Sequence, residues 1–259
     1  MKILMLGGTS DARKVVESLE DKGLLATFQI TYSVAGLVRV PKFSCEVISG
    51  GFTQRGGLVD YLSTERFDLV IDITHPFALR MSSAAVDACK QLKLPCWRFH
   101  RPAWQAQEGD QWQRFDDWDD MVKATADYAS LFLTAGQLPQ DVIDRFTQQT
   151  VLTGQKQVIR TAAPPNAELP DSMQWIKAIG PFNHDAEKQL LLDYNVDLLV
   201  SKNSGGVATE AKLSAARELG IPVFMLERPV LPMADCLLHS VDDVINKLVK
   251  KGLSSDHNV

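Results

Sequence analysis

The residues best suited to bind an anion lie in a glycine-rich segment close to the N-terminus. Gly7-Gly8-Thr9-Ser10-Asp11-Ala12-Arg13 follows a predicted strand, Lys2–Leu6, and precedes a helical pattern. Glycines let the backbone turn tightly and approach a ligand, and the first N–H groups of a helix attract negative charge. The segment therefore predicts a pyrophosphate site formed by Gly7, Gly8, Thr9, Ser10 and Arg13. Because the full G-x-G-x-x-G fingerprint is missing, an ordinary strand-to-helix turn stays the alternative.

The residues that follow bear on which dinucleotide would bind. In an NAD site, an acidic residue about 20 residues past the glycines binds the ribose 2′-hydroxyl. No Asp or Glu occurs from Ala26 to Cys45, whereas the basic residues Arg39 and Lys42 do. This pattern favours NADPH, with Arg39 on the 2′-phosphate, although Arg39 as an ordinary surface arginine stays open.

Two more segments place polar residues at the ends of predicted strands, which is where open α/β sheets bind ligands. In Asp72-Ile73-Thr74-His75-Pro76, the proline favours an extended His75, which is a candidate proton donor or anion contact. Ser201-Lys202-Asn203-Ser204-Gly205-Gly206 is typical of a carboxylate or phosphate cradle, and Arg228 is expected to add charge at the same edge. The alternatives are a structural histidine and a solvated loop with a capping serine.

Short apolar runs alternate with helical patterns along the whole chain, which predicts an α/β fold with parallel sheets. Strands are predicted near Lys2–Leu6, Leu25–Tyr32, Ser44–Ile48, Asp68–Ile73, Pro95–Phe99, Leu131–Thr134, Val158–Thr161, Trp175–Ile179, Asp197–Ser201 and Pro222–Leu226. Helices are predicted near Asp11–Asp21, Gly57–Glu65, Ala78–Leu92, Asp185–Asp193, Val207–Leu219 and Val241–Lys250. We expect two Rossmann-like lobes with parallel sheets facing a cleft: an NADPH-binding lobe at 1–126, and an α/β lobe at 127–259 that contributes to the substrate cleft.

Composition excludes several classes of protein. The hydrophobic fraction of 45% and the charged fraction of 23% are ordinary for a globular protein. No apolar run approaches about 18 residues and no signal peptide is recognisable, so a cytoplasmic protein is expected. Four cysteines without C-x-x-C spacing predict neither a metal site nor a disulfide framework. The net charge of -5 gives no general attraction for nucleic acid or an anionic membrane.

The ordered set of motifs resembles the family of precorrin-6A and cobalt-precorrin-6A reductases. Gly7–Arg13 resembles the family's Gly-Gly-Thr-x-(Asp/Glu)-Ala-Arg, and Asp72–Ala78 resembles its Asp-Ala-Thr-His-Pro-(Phe/Tyr)-Ala. Leu37 departs from the pattern, because the family carries an arginine there and Arg39 comes two residues later. The other similar segments are Ser33-Val34-Ala35-Gly36, Gly50-Gly51-Phe52, Arg101-Pro102-Ala103-Trp104, Ser201–Gly206 and Arg228-Pro229.

The resemblance implies an oxidoreductase of cobalamin biosynthesis that reduces one double bond of precorrin-6A, or of its cobalt-bearing counterpart, with hydride from NADPH. It adds Ser33 and Gly36 to the expected cofactor contacts. The sequence does not name the proton donor of the reaction, and His75 is the candidate catalytic residue. The expected partners are an anionic tetrapyrrole substrate and neighbouring enzymes of the corrin pathway. The residues expected to bind the substrate are Thr74, His75, Lys202, Ser204, Gly205 and Arg228.

Two other classes of function are alternatives to a precorrin reductase. Short-chain dehydrogenases and sugar-nucleotide epimerases need Tyr-x-x-x-Lys, and none of the four tyrosines has a lysine four residues on. A non-catalytic two-lobed protein that binds nucleotide or tetrapyrrole stays open. The sequence also leaves open whether the substrate contains cobalt.

Overall fold

The structure is a computed structural model, and it describes residues 1–35 and 42–255. Gly36 and Arg39, both expected to contact the cofactor, lie outside the described residues. The chain divides into two compact units, one made of Met1–Pro102 with Pro229–Val259 and the other of Ala103–Arg228. The longest described helix has 15 residues, and none of the described helices is long and apolar enough to cross a membrane.

The described residues form strands and helices that largely alternate along the chain. The strands are β1 (Lys2–Leu6), β2 (Gln29–Val34), β3 (Glu46–Ser49), β4 (Leu69–Asp72), β5 (Cys96–Phe99), β6 (Trp112–Phe115), β7 (Ser130–Leu133), β8 (Lys156–Thr161), β9 (Met173–Lys177), β10 (Leu198–Lys202), β11 (Val223–Leu226) and β12 (Cys236–Leu238). The helices are α1 (Ser10–Asp21), α2 (Leu58–Glu65), α3 (Leu79–Leu92), α4 (Trp118–Ala124), α5 (Gln140–Thr153), α6 (His184–Asp193), α7 (Ala211–Leu219) and α8 (Val241–Ser255).

Within the described part of the first unit, the sheet has the order β3-β2-β1-β4-β5-β12, and every pairing is parallel. This is the strand order of the doubly wound dinucleotide-binding fold. The central strands are continuous apolar runs, because helices cover both faces of such a sheet. Helix α1 buries Ala12, Val15, Val16 and Leu19 in the same core as the inward residues of α8.

The second unit repeats this order with its own strands. Its described sheet runs β9-β8-β7-β10-β11-β6, again with parallel pairing throughout. The residues of β7 are fully buried from Leu131 to Leu133, as are those of β10 from Leu198 to Val200. The predicted fold class, α/β with two parallel sheets of Rossmann type, is confirmed.

The predicted division at residue 126 is not the one that the structure shows. Strand β6 follows β5 in the chain but pairs with β11, so the second unit begins near Ala103. Strand β12 follows β11 but pairs with β5, so the C-terminal segment belongs to the first unit. Both are short outer strands: β6 has polar residues, Gln113 and Arg114, at its centre, and β12 has only three residues, so neither gives the longer apolar run that marks a strand in the sequence.

Other elements also differ from the sequence prediction. The predicted strand Leu25–Tyr32 begins as a 3₁₀ turn at Leu24–Ala26, and its strand starts only at Gln29. Helices α4 and α5 were not predicted. The predicted helix Val207–Leu219 is a 3₁₀ turn at Val207–Thr209 followed by α7.

A buried ion pair lies inside the second unit. Arg160 on β8 donates to both carboxylate oxygens of Glu187 on α6, at 2.5 and 2.9 Å. The two side chains are only 5% and 3% exposed. The guanidinium also stacks on the rings of Phe132 and Phe182, at 5.0 and 3.9 Å from their centroids. Both charges are thus compensated, and removing one would leave the other buried alone.

We expect Glu187→Leu to lower the free energy of unfolding by about 3–5 kcal/mol, because it leaves the buried guanidinium unpaired. The double variant Arg160→Met/Glu187→Leu should recover most of that loss. Urea unfolding followed by tryptophan fluorescence measures both. Asp120→Asn removes an exposed pair with Lys123 and is the control, expected to cost at most about 1 kcal/mol. A double variant as unstable as Glu187→Leu would contradict this account.

Candidate functional site

The first unit has its ligand-binding edge where the strand order reverses, between β1 and β4. The last residues of these strands, Leu6 and Asp72, are partners in the parallel register. The segments that follow them therefore begin side by side at the carboxyl edge of the sheet. One carries the glycine turn and the other carries Thr74 and His75, so the structure brings two of the predicted motifs together.

The glycine turn is held by a tyrosine that the sequence analysis did not single out. The Gly7 N–H donates to the carbonyl of Ser33 at 2.8 Å. A Cβ on Gly7 would lie 2.3 Å from Cζ of Tyr32, so only glycine fits there. The Tyr32 hydroxyl accepts the Gly8 N–H at 3.1 Å, and Gly8 has a φ of 102°. Burial raises the pKa of Tyr32, which keeps the hydroxyl protonated.

Helix α1 begins directly after this turn. The Thr9 hydroxyl caps it by accepting the Ala12 N–H at 3.1 Å and donates to the Ile73 carbonyl at 2.8 Å, which ties the two segments together. Asp11 in the first turn pairs with Arg101 Nη1 at 2.5 Å, which offsets its negative charge. Arg13 is exposed one turn in. A capped helix start with its acid neutralised suits a phosphate group.

Asp72 fixes the second segment at this edge. Its buried carboxylate accepts hydrogen bonds from the Thr74 N–H at 3.1 Å and the Thr74 hydroxyl at 2.6 Å. It also accepts from the Ser82 hydroxyl at 2.6 Å and from Arg98 Nε at 3.1 Å. The side chains of Arg98 and Asp72 are 5% and 2% exposed. The predicted site residue Thr74 is thus held in place by a buried ion pair.

His75 lies on the exposed side of the same segment. Its Nδ1 accepts the Phe77 N–H at 3.2 Å, and the two rings lie 5.8 Å apart. In the neutral ring this places the proton on Nε2. One ring nitrogen is thus held by the backbone, and in this state the Nε2–H can donate a hydrogen bond to an acceptor.

The second unit has the corresponding edge between β7 and β10. Lys202 ends β10, and its Nζ lies 3.5 Å from the Gln137 carbonyl and 5.8 Å from the Trp118 ring. Burial lowers the pKa of Lys202 to about 8. The ammonium group is therefore partly desolvated, which strengthens its interaction with any anion at this edge.

The loop after Lys202 is braced by backbone hydrogen bonds. Asn203 is fully buried and exchanges two hydrogen bonds with the backbone of Trp104, at 2.9 and 3.3 Å. Arg228 donates to the carbonyls of Asn203 and Ser204, at 2.8 and 3.2 Å, and Gly205 has a φ of 68°. The α-helix starts only at Ala211, so the cradle precedes a 3₁₀ turn rather than an α-helix.

The structure thus gathers the described predicted residues at two strand edges. Ser33 serves the first edge through its carbonyl, while Lys202, Ser204, Gly205 and Arg228 share the second. Sequence reasoning missed several supporting residues, because contacts between distant segments leave no local pattern. Asp72 had one available signal, since an Asp two residues before Thr74 is typical of an Asx turn. The residues missed are Tyr32, Asp72, Ser82, Arg98 and Asn203.

Strand order and glycine turn define a protein with two Rossmann-type units, the first of them shaped for a dinucleotide. The sequence profile of the family described as "Precorrin-6x reductase CbiJ/CobK" matches residues 2–249. The chain belongs to this family. Membership in a reductase family implies a nicotinamide cofactor.

Individual relatives agree with the family match. The precorrin-6A reductase of Rhodococcus erythropolis is 36% identical over 253 residues, covering 97% of each chain. That of Rhodobacter capsulatus is 37% identical over 237 residues, covering 90% of each. A solved structure named CobK precorrin-6A reductase superposes with a TM-score of 0.84 at 35% identity, covering 96% of both chains. The cobalt-precorrin-6A reductase of Methanocaldococcus jannaschii is 25% identical over 256 residues, covering 96% of this chain and 97% of its own.

We expect Gly7→Ala to destabilise the first unit by about 1–3 kcal/mol, because the new methyl group overlaps the ring of Tyr32. It should also weaken binding of nicotinamide dinucleotides, since the turn must shift. Thermal unfolding and a fluorescence titration measure the two effects. Gly51→Ala is the matched control, because its new Cβ would lie 3.6 Å from the nearest atom and its φ is -78°. Equal stability of the two variants would contradict the role given to Tyr32.

Proposed function

We propose that this chain reduces one double bond of precorrin-6A to the dihydro product, with hydride from NADPH, in cobalamin biosynthesis. The observation that carries the proposal is the family match over residues 2–249. The glycine turn at the reversal point of the first sheet supports it, because that is where this fold binds dinucleotides.

The comparisons favour the cobalt-free substrate. The relatives named precorrin-6A reductase are 36% and 37% identical to this chain in Rhodococcus erythropolis and Rhodobacter capsulatus. The relative named cobalt-precorrin-6A reductase from Methanocaldococcus jannaschii is 25% identical. Substrate preference within a family usually follows the nearer group of sequences, so we propose precorrin-6A itself.

The residues of the first edge fit a nicotinamide dinucleotide. A Cβ on Gly7 would collide with the ring of Tyr32, and Gly8 has a φ of 102°, so the turn requires both glycines. The start of α1 supplies N–H groups for a pyrophosphate. Ser10 and Arg13 add a hydroxyl and a guanidinium to the same place. When bound, the cofactor supplies the hydride. The chain has to orient it and exclude water.

The remaining predicted residues are proposed to serve the substrate. Lys202, with Ser204 and Gly205 beside it, pairs with a carboxylate of the macrocycle, and Arg228 keeps their loop in shape. Thr74 and His75 are proposed to contact the macrocycle. His75 is the proposed proton donor; in its protonated form both ring nitrogens carry a proton, so Nε2 can transfer one and leave a neutral ring. Several cationic or donor groups suit a substrate that bears many acetate and propionate groups.

The proposed activity is tested by adding precorrin-6A and NADPH to the purified chain. We expect loss of nicotinamide absorbance together with a product heavier by two hydrogens. A chain that binds both ligands but gives no product would instead be a non-catalytic binding protein.

We expect NADPH to bind more tightly than NADH, because no acidic residue is present for the ribose diol and Arg39 is available for the 2′-phosphate. Arg39→Ala should reduce the difference in binding free energy between NADPH and NADH by about 1.5–3 kcal/mol, the value of a hydrogen bond to a charged group. Fluorescence titration with both cofactors measures this. Equal affinities in the wild type would refute the preference, and an unchanged gap in Arg39→Ala would move the contact to Arg13 or Lys42.

We expect Lys202→Ala to raise KM for the tetrapyrrole and to leave NADPH affinity unchanged, with a loss of about 1.5–3 kcal/mol in kcat/KM. Part of the effect should vanish at high salt, because ions screen a partly exposed pair. The contribution should fade as pH rises through about 8, where the buried amine loses its proton. Lys123→Ala, at a side chain 76% exposed, is the control. Weakened NADPH binding at an unaltered KM would assign Lys202 to the cofactor.

A further inference from the structure

Lys212 is a buried lysine of the second unit that the proposed function does not yet use. It lies in the first turn of α7 and is 4% exposed. Its Nζ lies 3.5 Å from the Thr134 carbonyl and 5.5 Å from the centre of the Trp104 ring. It shares its helix face with Leu213, Ala215 and Ala216, all buried, so an apolar residue would satisfy the packing at this position.

The charges around Lys212 do not balance. The described elements packed against it carry two charged groups that act on it, Arg160 on β8 and Glu187 on α6. Both Glu187 oxygens already accept hydrogen bonds from Arg160. Within residues 1–35 and 42–255, Lys212 makes no ion pair within 4.0 Å. Once Arg160 and Glu187 neutralise each other, the Lys212 ammonium is the surplus charge.

A surplus buried cation is costly, because burial removes the water that stabilises its charge. Desolvation first, and then Arg160, lower the pKa of Lys212 to about 7, and Glu187 opposes them. Proteins rarely keep a charge in such a place without a partner or a task. Replacing it by an apolar side chain of similar length would be favourable for folding.

The position of Lys212 indicates what the task is. Thr134 directly follows β7, and the same loop continues to Gln137, whose carbonyl accepts from Lys202. The two lysines therefore reach one loop at the reversal point of the second sheet, which is where this fold binds ligands. Both are cationic when protonated, so the chemistry that they select is anionic.

We propose that Lys212 is a carboxylate-binding residue: its amine takes a proton from solvent and pairs with an acetate or propionate group of the tetrapyrrole. The identity of this ligand rests on the proposed function. The carboxylate supplies the negative charge that the buried ammonium lacks. Near pH 7 about half of the amine is uncharged before binding, because burial lowers its pKa to about 7. The unliganded protein therefore avoids part of the cost of a second cation beside Arg160.

Calorimetric titration of the full-length chain with precorrin-6A tests this directly. In the wild type at a pH slightly above 7, binding should take up roughly half a proton or more, measured from the dependence of the heat on the buffer's ionisation enthalpy. Lys212→Met should lose that uptake and bind precorrin-6A about 10- to 100-fold more weakly, the loss of a hydrogen bond to a charged group. NADPH affinity should not change. Lys123→Met removes an exposed charge from the same unit and should behave as the wild type.

Thermal unfolding shows whether the variant keeps its fold. The folded pKa lies below the value of 10.5 for a free lysine, so protonation of Lys212 opposes folding at neutral pH. Lys212→Met should therefore unfold at a higher temperature than the wild type near pH 7. This difference in unfolding temperature should shrink as the pH rises towards 10.5, where the lysine also loses its proton in the unfolded chain. If both Lys212→Met and Lys212→Gln unfold at a lower temperature than the wild type, Lys212 is a structural residue and the inference is overturned.

The binding outcomes separate this inference from the proposed function. If Lys212→Met binds precorrin-6A with the affinity and proton uptake of the wild type, the inference about Lys212 is overturned and the proposed function is unaffected. A wild type that binds with proton uptake but never reduces the ligand would sink the proposed function and leave the Lys212 contact standing. A wild type that does not bind precorrin-6A would end both.

Discussion

The buried carboxylate of Asp72 holds the ligand-binding edge of the first unit together. It ends β4, accepts from Thr74 in the next segment and from Ser82 on α3, and pairs with Arg98 on β5. Arg98 also donates to the Pro232 carbonyl at 2.6 Å, so the same ion pair holds the C-terminal segment of the first unit. Removing the carboxylate would leave the Arg98 guanidinium buried without its partner and lower the free energy of unfolding by about 3–5 kcal/mol. The pair thus holds Thr74 directly, and His75 follows in the same segment.

The second unit uses buried charge differently at the corresponding edge. Arg160 and Glu187 compensate each other, as Arg98 and Asp72 do, and tie β8 to α6. Here, however, two lysines lie close by, and desolvation lowers the pKa of both. In the proposed function, the first edge binds its ligand through backbone N–H groups at a helix start. The second edge would bind an anion through the side-chain cations Lys202 and Lys212.

The sequence predicted what local chemistry determines and missed what tertiary packing determines. Strand β1 was predicted with its actual bounds, because a strand buried on both faces reads as an uninterrupted apolar run. Strands β6 and β12 each pair with a single neighbour. Strand β6 has polar residues at its centre and β12 has only three residues, so neither was recognised and the domain division was misplaced. The glycine turn was predictable because a backbone turn demands the residue type. Tyr32 and Lys212 were not, although a lysine within the apolar stripe of α7 was a usable signal.

The overall charge of the chain explains why the cations lie where they do. A protein of net charge -5 repels a polycarboxylate at long range, so affinity has to come from short-range contacts in desolvated places. Desolvation strengthens such contacts but opposes protonation of the amines that make them. In the proposed function Lys202 and Lys212 resolve this conflict, because burial lowers their pKa values to about 8 and about 7. An anion that binds beside them would then favour their protonated forms and stabilise the folded protein.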